Sequence, residues 1–179
     1  MLRPRSMRSK PPTQSVRFPV NFNAAVYAGI VAGIFATAVQ IALWSVFADA
    51  LPTMLFRDAR FAAAIVLGRK VLPPPASFDW TVMLIATGVH FALSIAYGLA
   101  LSVLIRRLRT LPSIFAGAVF GLCLYGINMY GFTAVFPWFQ TARDSITLAT
   151  HAAFGVAAAG VYKMLSQRFV RARRDTDNV

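Results

Sequence analysis

Four stretches of this chain, about residues 24–48, 80–105, 112–136 and 145–167, are almost free of charge. That constrains the fold more than any motif does. A helix needs about 20 residues to cross a hydrocarbon core of about 30 Å, and each stretch supplies them. Hydrophobic residues make up 58% of the chain and charged residues 13%, whereas a soluble domain carries about a quarter charged residues. The sequence therefore predicts an all-α membrane protein with four transmembrane helices. The first apolar stretch is too long for a cleaved signal peptide and follows a basic, proline-containing arm.

The net charge of +12 raises the question of nucleic acid. The distribution argues against it, because the basic residues flank the spans and no nucleic-acid-binding motif is present. Arg3, Arg5, Arg8, Lys10 and Arg17 precede the first span. Arg106, Arg107 and Arg109 lie between the second and third. Lys163, Arg168, Arg171, Arg173 and Arg174 close the fourth. In the two remaining loops Arg57, Arg60, Arg69, Lys70 and Arg143 are offset by Asp49, Asp58, Asp79 and Asp144. Lys/Arg excess marks the cytoplasmic side, so both termini are expected inside and residues 49–79 and 137–144 outside. A multi-pass protein of a bacterial inner membrane is the expected setting. Three regions follow: a basic arm over 1–22, a four-helix domain over 23–168 and a basic tail over 169–179. The arm reads as disordered, and Met7 is an alternative start to Met1.

The 49–79 loop contains an apolar run, Phe61 to Gly68, too short to span. It predicts a short helix on the outer surface, beginning at Ala59 with Asp58 as its cap and ended by Pro73, Pro74 and Pro75. Asp144, beside Arg143, is the corresponding candidate cap for the fourth span.

The motif "YAGIVAG" at 27–33 returns as "FAGAVFG" at 115–121. With an offset of 88, Gly29 falls on Gly117, Gly33 on Gly121, Thr37 on Tyr125 and Gln40 on Asn128. These steps of four, four and three keep one helical face. With an offset of 61, His90 falls on His151 and Ser94 on Gly155. The pattern predicts two parallel copies of a helical hairpin, about 24–105 and 112–167, related by an axis along the membrane normal. Gly29, Gly33, Gly117 and Gly121 are then helix-packing positions, used because lipid gives no hydrophobic drive between helices and close backbone approach must replace it.

Gln40, His90, Asn128 and His151 count to one level, about 10–15 Å below the outer ends of their spans at 1.5 Å per residue. Thr87, Ser94 and Tyr97 share the face of His90, and Thr147 that of His151. Polar groups at such depth face the bundle interior. Three readings compete. The layer fastens the helices by hydrogen bonds; or it lines a path for a small solute; or His90 and His151 are the axial ligands of one b-type haem. In the haem reading Gln40 and Asn128 hold the other ring nitrogens. No deep carboxylate is available for ion coupling, and Lys163 lies near a span end. No nucleophile–base–orienter set and no metal spacing appears. The lone Cys123 lies within the third span, and C-x-x-C-H is absent. A non-enzymatic accessory or small-solute transport protein without a resident cofactor or metal is expected. Its partners would be the lipid bilayer and other membrane proteins or further copies of itself.

The stretch "YGINMYGFTAVFPWFQTARD" (125–144), with "LPTMLFRDARFAAAIVLGRKVLPPP", resembles a group of small four-span bacterial inner-membrane proteins without an established activity. Some of them carry a sodium:proline symporter label. Such symporters use many more helices, in inverted repeats with broken helices at the midplane, and four spans in parallel copies differ from that plan. The resemblance implies the four-span fold and assigns no functional residues.

Overall fold

A computed structural model describes residues 20–47 and 51–177, with side chains through residue 169. The arm expected over 1–22 lies almost wholly outside the described residues, as do the side chains of the tail from residue 170. The described chain is helical throughout its regular structure. In order it forms α1 (Phe22–Phe47), α2 (Thr53–Leu67), α3 (Trp80–Ile105), α4 (Thr110–Gly126) and α5 (Ser145–Asp177), with short tight turns between them. Four segments are long and apolar enough to cross a membrane: Phe22–Phe47, Trp80–Ile105, Thr110–Ala134 and Ser145–Phe169. The four expected spans are present.

The helix starts obey simple capping chemistry. Asp79 accepts a hydrogen bond from the Val82 amide at 3.0 Å and so caps α3. Asp144 accepts from the Thr147 amide at 2.7 Å and caps α5, as expected. Asp58 does not act this way. α2 begins five residues earlier, at Thr53, without a side-chain cap, so Asp58 sits in the helix interior with its carboxylate free for another partner. The basic tail continues α5 as helix through Asp177.

α4 also departs from the simple reading. The α-helix stops at Gly126, widens into a π-turn over Ile127–Gly131 and tightens into a 3-10 turn over Phe132–Ala134. Arg143 holds the wide turn. Its Nε donates to the Met129 carbonyl at 2.7 Å and its Nη2 to Thr133 Oγ1 at 2.8 Å. Its guanidinium carbon lies 4.3 Å from the centre of the Tyr130 ring.

α5 is the central helix, packing along both α1 and α4, while α1 also packs on α3 and α3 meets α4 only slightly. Small residues set these contacts. Ala24, Ala28, Ala32 and Ala36 recur every four residues on α1 and join Phe154, Ala158 and Tyr162 of α5 in one buried cluster. Between α1 and α3, a Cβ on Gly29 would stand 2.5 Å from the Ser94 carbonyl oxygen. Between α4 and α5, a Cβ on Gly155 would fall onto the carbonyl oxygen of Gly117, and one on Gly121 onto that of His151. All four expected packing glycines lie at helix contacts.

α2 buries Ala63 against Val82 and Ala86 of α3 and ends at Gly68, whose φ of 77° favours a residue without Cβ. The 51–79 segment and the 135–144 segment share one end of the bundle. There Trp138 Nε1 donates to the Phe61 carbonyl at 3.1 Å, and the Phe61 and Phe139 rings meet edge to face at 5.9 Å. The opposite end carries the 106–109 turn. Lys163 of α5 closes it, donating to the carbonyls of Ile105 and Leu108 at 2.6 Å each. A cation is well placed there, because the last carbonyls of a helix lack partners and carry partial negative charge.

Candidate functional site

The four polar residues read as one layer divide among three arrangements. The most complete is a chain of hydrogen bonds across α3, the π-turn and α5. Tyr97 donates its hydroxyl to Asn128 Oδ1 at 2.8 Å. Asn128 Nδ2 lies 3.2 Å from His151 Nε2, and His151 Nδ1 lies 2.8 Å from the Thr147 carbonyl. With Asn128 Oδ1 accepting from Tyr97, its amide nitrogen faces the imidazole. A carbonyl only accepts, so Nδ1 carries the hydrogen; Nε2 then presents a lone pair, which the Asn128 amide hydrogen meets. The imidazole is neutral in this arrangement, and both its ring nitrogens are occupied. The Tyr125 ring stands edge-on to it at 5.7 Å.

His90 belongs to a second arrangement, between α3 and α1. Its Nε2 lies 3.2 Å from the Gly33 carbonyl and 3.3 Å from Thr37 Oγ1. The Thr37 hydroxyl donates to the same carbonyl at 3.0 Å, so Nε2 carries the hydrogen and is shared between the two oxygens. Glycine at 33 permits this approach: a Cβ there would stand 3.1 Å from Nε2 and 2.8 Å from Ser94 Oγ. Thr87, expected beside His90, is exposed and turns its hydroxyl back to the Met83 carbonyl of its own helix at 2.8 Å.

Gln40 joins neither histidine. Its Nε2 reaches Asp58 Oδ2 of α2 at 3.5 Å. The Asp58 carboxylate also receives Arg57 Nε at 2.8 Å. Burial pushes the Asp58 carboxyl above the usual carboxylate range, more than Arg57 beside it pulls it down.

Bis-imidazole haem ligation is not what this geometry fits. It requires one ring nitrogen from each histidine on a common iron. His151 has neither free, and the Nε2 of His90 faces the α1 backbone. Asn128, expected to hold the other ring nitrogen of a ligating histidine, instead takes one of the two nitrogens that ligation would need, and Gln40 meets neither histidine. Among the described residues, no three His, Cys, Asp or Glu side chains converge as a metal site would require.

Sequence reasoning missed the roles of Lys163, Arg143 and Asp58. The signal for Lys163 was there, as a cation one turn inside the end of a span. Its target carbonyls, 55 and 58 residues away, left none. Comparison with known proteins gives no match to a family model, a curated protein or a solved structure.

Proposed function

We propose that this chain is a non-enzymatic, membrane-embedded accessory protein whose buried polar groups fasten its helices together. The observation that carries the reading is the chain from Tyr97 through Asn128 and His151 to the Thr147 carbonyl, in which both imidazole nitrogens are hydrogen-bonded. Its job is then to present a fixed helical body to other membrane proteins or to further copies of itself. The charge distribution supports a bacterial inner membrane, both termini cytoplasmic and α2 on the outer surface.

The proposal includes duplication of a hairpin, and paired contacts support it. Gly29 meets Ser94, and their counterparts Gly117 and Gly155 meet in the same way. Gly98 closes on Gly29 as its counterpart Ala159 closes on Gly117. Thr37 touches His90 as Tyr125 touches His151. The copies join unequally, through α1 and α5 on one side and barely through α3 and α4 on the other.

Cysteine accessibility in a Cys123→Ser background tests the proposal. Ser77→Cys should react from outside and Thr110→Cys from inside. Ser94→Cys, isosteric and buried beside Gly33, should stay unreactive to a water-soluble thiol reagent. Rapid labelling at 94 in the folded protein would replace this reading with a solute path through the layer.

A further inference from the structure

We propose that the groove between the start of α4 and the last membrane turns of α5 holds the phosphate headgroup of an anionic phospholipid. A cavity of about 290 Å³ opens there, lined by Thr110, Gly160, Met164, Gln167 and Arg168. That is near the lower size of small-ligand pockets, suited to a headgroup rather than to a whole lipid. Its depth comes from Gly160, where a Cβ would meet nothing within 4 Å. Gln167 Nε2 donates to Thr110 Oγ1 at 3.2 Å across the mouth, which leaves its second amide hydrogen for an incoming oxygen.

The surroundings select charge and orientation. Arg168 supplies a cation on the wall, and Arg106, Arg107 and Arg109 stand exposed on the adjoining turn. Asp58, Asp79 and Asp144 belong to the other end; Asp175 and Asp177 follow on the α5 tail, beyond the described side chains, among Arg171, Arg173 and Arg174. On α5, Val156, Gly160, Met164 and Arg168 follow one another every four residues and so form one row along the helix. The row is apolar and exposed at Val156 and Met164 and basic at its last position. An acyl chain lies along such a row with its phosphate at the basic end. A free phosphate has no use for the apolar part, so the site is assigned to lipid. The inference rests on the membrane-spanning reading, which the accessibility experiment above tests separately.

Native mass spectrometry of the full chain in mild detergent reads the site directly. Phosphatidylglycerol should be retained over phosphatidylcholine. Arg168→Gln should weaken that retention about fivefold, from about 1 kcal/mol per basic residue at a membrane surface. Gly160→Leu places its Cβ in open space and the rest of its side chain in the cavity, so it should fold and lose the lipid. Gly88→Leu, equally free of contacts, should retain it. Equal retention of the two lipids, or wild-type retention by both site variants, would overturn the proposal. So would an inorganic phosphate adduct that displaces the lipid at millimolar concentration.

Discussion

Replacing Gly155 by alanine puts one methyl group into the α4–α5 contact. Its Cβ would fall onto the Gly117 carbonyl oxygen, 2.8 Å from the carbonyl carbon and 2.9 Å from the Gly121 nitrogen. All three are backbone atoms, and neither helix can turn them aside. Raising the 2.8 Å contact to an ordinary 3.4 Å opens the helices by 0.6 Å, and the nearer oxygen asks for more. A gap of 0.5–1 Å forfeits about a quarter to a half of each dispersion contact, worth about 0.1–0.2 kcal/mol. For on the order of 40 atom pairs along the crossing, the loss is about 2 kcal/mol. That agrees with the range of about 1–3 kcal/mol for overpacked cores. Helix propensity returns less than about 1 kcal/mol of it. Gly160, five residues on, is the internal control, because a Cβ there meets nothing. Gly160→Ala should be neutral or stabilising by about 0.5–1 kcal/mol. Reversible unfolding in mixed micelles, followed by helix content or steric trapping, measures both. Equal effects of the two substitutions would refute the argument that backbone approach sets this interface.

Further outcomes follow from the polar groups. Tyr97→Phe and His151→Ala should each destabilise by about 0.6–1.7 kcal/mol, the scale for hydrogen bonds between membrane helices. Their double-mutant cycle should show coupling through Asn128, and strict additivity would mean the chain of bonds does not act as a unit. Asp58 titrates in the opposite sense to a salt-bridged carboxylate. Its raised value makes the folded state bind the proton more tightly, so stability should fall as pH rises from 3.8 through that value. Asp58→Asn should flatten this slope in thermal melts over the acid range; an unchanged slope assigns it elsewhere. Gly29→Leu and Gly117→Leu should disturb packing or self-association, and exclusively monomeric protein in mild detergent would remove self-association from the proposed role.

Much of the bundle was legible because its signals are local. A charge-poor stretch of membrane length needs no knowledge of its partner, and an aspartate one residue before such a stretch caps it, as Asp144 does. The glycine row was legible because a helix that must approach another backbone has few residue types to use. What the sequence hides is pairing. Gln40 and Asn128 occupy matching positions, yet one turns to α2 and the other to an imidazole, because only one copy carries α2 beside it. The wide turn at 127–131 follows from Arg143 taking the Met129 carbonyl from a loop that no periodicity describes. Asp58 looked like a cap because an acid next to an apolar run usually is one. The helix instead starts at Thr53, where its first amides have no side-chain acceptor at all.

The clasp between Lys163 and the end of α3 carries a consequence for biosynthesis. The lysine trails the Ile105 carbonyl by 58 residues. At about 5–20 residues per second, the ribosome takes about 3–12 s to make it after α3 is complete. Through that interval α3 ends without its ammonium partner. α1 and α4 also lack their common neighbour, since the helix that touches both is made after them. The first three spans can enter the bilayer one by one, but the bundle closes only when the fourth arrives. A chain arrested before Lys163 therefore leaves three helices without the contacts that α5 supplies.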